Sequence, residues 1–325
     1  MIYTHLMSVL LIIILIILFL LISGVVFSFF YCRNIAKGVY NDMLVRTSPD
    51  KWGRECSAPE NEEHLEMWNR GCNWARLNKD RMTEVDVTND GFRLYGEYYD
   101  FGFDKAAIII PGRSESLMYS YYFAIPYHKA GCNVLVIDIR SHGNSEGKYN
   151  YVCKGEDGDI LAWADLLHDR FGMDTIILHG ICIGAGTCVL LTARDDCPDF
   201  IKAIVSEGGY ISFPETFRRH MNQIHKPVFP VMQMVMHELK KHTGTDVYKS
   251  RPIDFIDKVR VPFLFLCGKK DQSSLPKCSQ MLFDRCGSKD KEIVWFEEGA
   301  HSHLRIADEE AYDNTIREFI QRRFG

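Results

Sequence analysis

The chain has 325 residues, of which 46% are hydrophobic and 12% aromatic, a composition that excludes a disordered chain and supplies the core of one large domain. Its 38 basic and 43 acidic residues give a net charge of −5, which argues against general nucleic-acid binding because that function requires a basic excess or a basic stripe. No nucleic acid is therefore expected among its partners.

The N-terminal segment has the length and composition of a membrane anchor. Residues 1–32 contain no Asp, Glu, Lys or Arg, and residues 9–31 are interrupted only by two serines and a glycine. As a helix, the apolar stretch spans about 35 Å, enough to cross a hydrocarbon core of roughly 30 Å. A cleaved signal peptide would need a basic start and a shorter apolar core. The sequence predicts one transmembrane helix in residues 1–32.

Charges on the two sides of this anchor predict its orientation. Arg33, Lys37 and Arg46 follow it, whereas only His5 and the α-amino group precede it. The positive-inside rule then places the C-terminal domain in the cytoplasm. The eleven cysteines agree with this, because they are odd in number, lack a Cys-x-x-Cys pair and suit a reducing compartment.

Residues 33–80 are expected to form a tether that ends in a packing helix. Residues 57–60 read Ser-Ala-Pro-Glu, which is the form of a capping box with proline in the first turn. An apolar face follows at helical spacing, formed by Leu65, Trp68, Cys72 and Ala75. The predicted role of this helix is to pack on the following domain and to fix its distance from the bilayer.

Residues 81–325 alternate between strand and helix patterns. Strands are predicted at 83–88, 92–99, 106–110, 134–139, 175–179, 203–206, 262–267 and 293–296. Helices are predicted at 117–130, 160–171, 182–194 and 308–323. Short apolar strands that alternate with helices indicate an α/β fold with a mostly parallel sheet covered by helices on both faces. The insert at 211–249 is expected to form a short helical cap.

A glycine-rich turn joins one predicted strand directly to the next helix. Residues 180–184 read Gly-Ile-Cys-Ile-Gly, a nucleophile elbow with cysteine in place of serine. The flanking glycines are explained sterically, because side chains there would collide with the neighbouring strand and helix. The N-terminus of the helix favours the thiolate form of Cys182. The alternative is a tight turn that holds an inert buried cysteine.

Three more strand ends carry chemically active residues, and parallel strands bring such ends to one edge of the sheet. Residues 110–116 (Ile-Pro-Gly-Arg-Ser-Glu-Ser) follow the third strand, Asp271 follows the strand at 262–267, and His301 follows the strand at 293–296. No zinc-like spacing occurs, and the pair His301 and His303 has no cysteine or histidine partner nearby in sequence. Neither a metal ion nor an organic cofactor is expected.

From about residue 80 to its C-terminus the chain resembles the α/β-hydrolase superfamily. Residues 138–145 (Asp-Ile-Arg-Ser-His-Gly-Asn-Ser) are similar to the family's D-x-R-G-H-G-x-S turn, with serine replacing the usual glycine. Residues 206–210 and 250–253 resemble bacterial membrane-anchored hydrolases of the serine aminopeptidase-like or prolyl-oligopeptidase-like kind, and residues 111–116 resemble lysophospholipases. The chain departs from the family at Cys182, where serine is usual, and at Pro111, where histidine is usual. Dienelactone hydrolases have a similar fold and use cysteine at this position.

The resemblance implies roles for the residues at these strand ends. Cys182, Asp271 and His301 occur in the family order of nucleophile, acid and histidine. The backbone N–H groups of Arg113 and Ile183 would form the oxyanion hole. Two alternatives stay open: Glu207 as the triad acid, and His303 as the triad histidine.

The sequence therefore predicts a membrane-anchored acyl hydrolase with a Cys-His-Asp triad, acting on an ester, thioester or activated amide. Its substrate would be a small-molecule or lipid-like acyl compound. A catalytically degenerate binding or regulatory module with the same fold, and an acyltransferase, are the competing hypotheses. The sequence predicts neither the substrate nor the oligomeric state.

Overall fold

The computed structural model describes residues 2–325, and it begins with one long helix, α1 (Ile2–Leu44). The apolar side chains of α1 up to Tyr31 are largely exposed, and the helix is long and apolar enough to cross a membrane. The helix does not end near residue 32, where the tether was expected to begin. It continues because Cys32, Ala36, Tyr40 and Leu44 form a buried stripe at helical spacing.

The second helix, α2 (Glu62–Leu77), starts later than the sequence suggested. Asn61, not Ser57, is its N-cap and accepts a hydrogen bond from the N–H of His64 at 3.1 Å. The predicted apolar face is wrong by one residue, because the side chains buried in α2 are His64, Met67, Gly71 and Trp74. Gly71 sets this rotation: a Cβ there would lie 2.7 Å from the backbone nitrogen of Tyr122 in the neighbouring helix.

Eight strands form a single sheet, and the predicted mostly parallel arrangement is confirmed. The strands are β1 (Met82–Asn89), β2 (Phe92–Tyr99), β3 (Ala106–Ile110), β4 (Asn133–Ile137), β5 (Ile176–Ile181), β6 (Ile201–Glu207), β7 (Phe263–Gly268) and β8 (Lys291–Phe296). Their spatial order is β1-β2-β4-β3-β5-β6-β7-β8. β2 pairs antiparallel with β1 on one side and with β4 on the other, and all pairings among β3 to β8 are parallel. The carboxyl ends of β5, β6, β7 and β8 therefore meet at one edge.

Helices cover both faces of this sheet. The helices that follow α2 in the chain are α3 (Leu117–Lys129), α4 (Glu156–Phe171), α5 (Ile183–Thr192), α6 (Phe213–Gln223), α7 (Val231–Thr243), α8 (Pro276–Arg285), α9 (Leu304–Ala307) and α10 (Glu309–Phe324), and all but α6 and α7 lie against the sheet or its covering helices. One apolar core contains residues of α4, α5 and α8, and the core on the opposite face contains residues of α2, α3 and α10. Helix α8 was not predicted, and it buries only Cys278, Ser279 and Leu282.

The insert between β6 and β7 holds helices α6 and α7, and it packs against the end of α1. Phe217, Val235 and Leu239 of the insert share a third apolar core with Ala36 and Leu44. Two cations cap the last turn of α1: Lys51 Nζ donates to the carbonyls of Asn41, Asp42 and Val45 at 2.6 to 2.8 Å, and Arg113 Nη1 donates to that of Met43 at 3.3 Å. The end of the apolar helix is thus fixed to the domain.

Candidate active site

The turn between β5 and α5 holds Cys182 in a strained backbone conformation, with φ 52° and ψ −113°. A non-glycine residue with positive φ is uncommon and costs free energy, so the surrounding structure must enforce it. The flanking glycines make the turn possible. A Cβ on Gly180 would lie 2.5 Å from Ala185 Cα, and one on Gly184 would lie 2.5 Å from the carbonyl oxygen of Ile110. The steric reason expected for both glycines is confirmed.

Three side chains from three strand ends meet at this turn. The thiol of Cys182 lies beside the ring of His301, close enough for each group to shift the pKa of the other. On the other side of the ring, His301 Nδ1 lies 2.8 Å from Asp271 Oδ2. When Nδ1 donates to the carboxylate, Nε2 is the ring atom left to exchange a proton with the thiol. The sequence-predicted nucleophile, histidine and acid are therefore in contact in that order.

The loop after β7 orients Asp271. This carboxylate is only 1% exposed, and its Oδ1 accepts the backbone N–H groups of Ser273 at 2.7 Å and Ser274 at 2.6 Å. Its other oxygen remains for His301. Gly208 packs against both Asp271 and His301. Its φ is 68°, and a Cβ there would lie 3.2 Å from His301 Cε1.

Burial and charge act in opposite directions on the thiol and the ring. Burial raises the pKa of Cys182, but the charge and hydrogen bond of His301, together with the charge of Arg113, outweigh it and leave that pKa below its usual value. Burial lowers the pKa of His301, but the Cys182 thiolate and Asp271 hold it well above its usual value. Both directions favour a thiolate–imidazolium pair, which is the reactive form of a cysteine nucleophile.

The loop after β3 lies directly against the thiol. A Cβ on Gly112 would be 3.5 Å from Cys182 Cβ. Arg113 follows Gly112 in this loop, and Ile183 is the first residue of α5, so its N–H has no acceptor within the helix. Both of the predicted oxyanion-hole residues are therefore adjacent to the nucleophile in the chain or in space.

A buried histidine that the sequence analysis left without a role fixes this loop. His142 Nε2 accepts the backbone N–H of Ser114 at 3.2 Å, its Nδ1 lies 2.8 Å from the carbonyl oxygen of Arg140, and its ring stacks on Trp52 at 4.5 Å. Burial lowers the pKa of His142 to about 3, so the ring is neutral and keeps its acceptor nitrogen. The D-x-R-S-H-G-N-S turn thus acts as a support for the residues next to Cys182.

The two alternative residues occupy different positions from the triad. Glu207 is fully buried, and its Oε2 accepts the hydroxyl of Tyr312 at 2.5 Å, while Oε1 is among the buried atoms without a partner in residues 2–325. His303 Nδ1 lies 2.7 Å from the carbonyl oxygen of His301. The hydrogen bonds therefore favour Asp271 over Glu207 and His301 over His303. Among residues 2–325, no group of three or more His, Cys, Asp and Glu side chains is arranged to hold a metal ion.

Comparison with known proteins agrees with the fold. The family model described as "alpha/beta hydrolase fold" matches residues 106–226, which contain β3, the elbow and β6. The chain is similar to the Pyrococcus furiosus esterase Pf2001, with a TM-score of 0.65 and 21% identity over 77% of this chain and 94% of that one. The chain therefore has the α/β-hydrolase fold, as its sequence suggested.

Two relatives are similar in sequence over much of their length. The protein YqkD of Bacillus subtilis is 26% identical over 215 residues, which is 66% of this chain and 70% of that protein. The membrane protein YNL320W of Saccharomyces cerevisiae is 24% identical over 242 residues, 72% of this chain and 77% of the relative. The description of this yeast relative as a membrane protein is consistent with the N-terminal helix of the present chain, which is long and apolar enough to span a bilayer.

Proposed function

The chain is an α/β hydrolase by fold, and we propose that it is a membrane-anchored acyl hydrolase whose nucleophile is Cys182. The observation that carries the proposal is the contact series from the Cys182 thiol through His301 to Asp271, built on a strained elbow. The esterase fold of the Pyrococcus furiosus neighbour supports the same reaction class. Serine aminopeptidase-like and lysophospholipase-like specificities are narrower forms of this proposal.

The proposed reaction has two halves. The Cys182 thiolate attacks the acyl carbon, and the negative oxygen that forms is stabilised by the backbone N–H groups of Arg113 and Ile183. The tetrahedral adduct collapses to a thioester, and the departing alcohol, thiol or amine takes the proton held by His301. In the second half, His301 takes a proton from water, the hydroxide attacks the thioester, and the acid leaves as Cys182 regains its thiolate. Asp271 stabilises the charged ring in both halves.

The position of the site favours a lipid-like acyl substrate. Cys182 packs against the apolar core that α1 and α7 share, and Arg113 of the neighbouring loop donates to the last turn of α1. The site therefore lies close to the end of the apolar helix. In this proposal residues 1–32 are the anchor, residues 33–80 the tether and residues 81–325 the hydrolase domain with its cap at 211–249.

The proposal is tested with the purified full chain in detergent. A panel of p-nitrophenyl esters and thioesters is offered to the wild type, Cys182→Ser, Cys182→Ala and His301→Ala, with Cys197→Ala as the control for loss of a distant, partly buried thiol. We expect Cys182→Ala and His301→Ala to lose about a thousandfold or more in kcat/KM, and Cys197→Ala to match the wild type. If the wild type is inactive on every member and no thiol-directed acyl probe labels Cys182, the protein is a binding module instead.

We also propose that the hydrolase domain faces the cytoplasm, because Arg33, Lys37 and Arg46 follow the apolar stretch of α1. An impermeant maleimide applied to intact cells should leave a cysteine engineered at the exposed Lys277 unlabelled, and should label it after the cells are opened. Labelling of that cysteine in intact cells would reverse the assignment.

A further inference from the structure

A cleft of about 730 Å³ lies between α1 and α7, away from Cys182. At one end it is lined by Phe29, Pro230 and Met234, and farther along by Arg33 and Lys37 of α1. Lys241 of α7 lines the far end. The cleft therefore changes from apolar to basic along its length.

The apolar end of this cleft is at the level of the bilayer surface. Phe29 belongs to the exposed apolar stretch of α1, which ends at Tyr31. At ~1.5 Å per helical residue, Arg33 lies about 3 Å and Lys37 about 9 Å beyond Tyr31 along the helix. The headgroup layer on each side of a bilayer is roughly 5 to 8 Å thick, so the backbone of Arg33 lies within this layer and that of Lys37 lies at its outer boundary.

The cap also presents an apolar residue at this level. Phe229 precedes Pro230 in the loop between α6 and α7, and it is 76% exposed. Because Pro230 and Phe29 line the same end of the cleft, Phe229 is placed to enter the interface beside α1. An exposed aromatic ring at the membrane surface is typical of an interfacial contact.

The two cations of α1 that line the cleft have no protein counter-charge. Within residues 2–325, neither Arg33 nor Lys37 forms an ion pair or a side-chain hydrogen bond, and both are exposed. Lys241 is 4.0 Å from Glu238, which is 3.4 Å from His242, so the single carboxylate in the cleft is used by α7 itself. Two unpaired cations thus face a space that is apolar towards the bilayer.

We propose that this cleft binds an anionic phospholipid of the surrounding bilayer. Its phosphoryl oxygens would accept hydrogen bonds from Arg33 and Lys37, an acyl chain would lie along Phe29 and Met234, and the outer part of the headgroup would extend towards Lys241. The lipid would join α1 to the cap, and so fix the domain on the membrane surface. This inference depends on α1 entering the bilayer and not on the proposed hydrolysis, so either can fail alone.

Native mass spectrometry of the full chain in detergent tests this assignment. The protein is titrated separately with dioctanoyl phosphatidylglycerol, dioctanoyl phosphatidylcholine and inorganic phosphate. We expect phosphatidylglycerol to bind at least about tenfold more tightly than phosphatidylcholine, since each basic residue near a lipid surface contributes about 1 kcal/mol. Equal binding of the two lipids would overturn the proposal, and saturation by phosphate at the same concentration would show a site for the free anion instead.

A pair of variants locates the binding. Arg33→Gln/Lys37→Gln should lose about tenfold or more in affinity for phosphatidylglycerol. Lys277→Gln/Lys289→Gln removes the same charge at exposed positions away from the cleft and should bind as the wild type does. Equal losses in the two double variants would show that binding depends on net charge alone and would remove the cleft from the assignment.

Discussion

The ends of β6 and β7 each place a buried carboxylate beside His301, yet the two carboxylates have different surroundings. Asp271 accepts two backbone N–H groups and the His301 ring, whereas Glu207 accepts the Tyr312 hydroxyl and keeps one oxygen without a partner in residues 2–325. Burial raises the pKa of Glu207 to about 7, although the Tyr312 hydroxyl donates to this carboxyl group. Exposure does not separate the two, since both are almost fully buried.

Hydrogen-bond donors, not position at the sheet edge, therefore decide which carboxylate can serve as the triad acid. A carboxylate with several donors is held in its charged form, as a partner of an imidazolium must be. A buried carboxylate with few donors favours its protonated form and is suited to a structural role. The following substitutions test that distinction, beginning with the largest expected effect.

Asp271→Asn should reduce kcat/KM for a p-nitrophenyl ester by about a thousand- to ten-thousandfold, because the neutral amide no longer stabilises a charged His301 ring. The measurement is a steady-state assay, with folding checked by circular dichroism. A loss below about tenfold would show that Glu207, and not Asp271, supports the histidine.

Gly208→Ala should reduce kcat/KM by about a hundredfold, because small displacements of catalytic groups are costly. The added Cβ would lie 3.2 Å from His301 Cε1 at a φ of 68°, so the ring must move away from Asp271. Gly172→Ala is the matched control, since Gly172 also has a φ of 68° but nothing within 4 Å of the added Cβ. If the two variants lose similar stability but Gly208→Ala loses much more activity, Gly208 is needed to keep the His301 ring in position. Similar activity in the two variants would contradict this role.

Glu207→Gln should leave kcat/KM within about threefold of the wild type and change how stability depends on pH. The folded protein holds a proton on Glu207 up to about pH 7, while the unfolded chain releases it near the ordinary value of 4.5. The wild type therefore loses up to about 3 kcal/mol from this group as the pH rises from 4.5 to 7, and the variant does not. Thermal unfolding of both proteins across this pH range measures the difference, and parallel curves would contradict the raised pKa.

Tyr312→Phe should lower the free energy of unfolding by about 1 to 3 kcal/mol, since it leaves Glu207 Oε2 without its hydroxyl donor. Activity should change little, because Tyr312 does not contact the triad. Tyr248→Phe, at a half-exposed position in the loop after α7, is the control and should be neutral. A large loss of kcat/KM in Tyr312→Phe would place Glu207 in the catalytic relay.

The pattern of the sequence was sufficient for the fold because the signals involved are local. Apolar runs located every strand of the sheet to within a few residues, and the glycines around Cys182 marked the elbow since only glycine fits there. Cys182, Asp271 and His301 follow β5, β7 and β8, and their side chains lie at the same edge of the sheet. Parallel strands meet at one edge whatever the details of the loops.

Local signals failed where a partner distant in sequence made the choice. A capping box was predicted at Ser57, but α2 begins at Glu62 with Asn61 as its N-cap, and the approach of Gly71 to Tyr122 decides which face of the helix is buried. The helical continuation of α1 beyond residue 32 could not be predicted, because its buried residues are covered by α7, which is distant in sequence. Helix α8 has no clear apolar period, because only Cys278, Ser279 and Leu282 of this helix are buried.

The pattern of the sequence alone predicted a helix long and apolar enough to span a bilayer, the α/β fold, and the three residues that lie together at the elbow. The surroundings of these residues depend on the tertiary structure: which carboxylate receives donors, how His142 fixes the loop beside Cys182, and where Arg33 and Lys37 line the cleft between α1 and α7. The two kinds of information differ in how far apart in sequence the interacting residues are. Helix and strand periods are written in neighbouring residues, whereas burial and hydrogen bonding, which set charge states, depend on groups that only folding brings together.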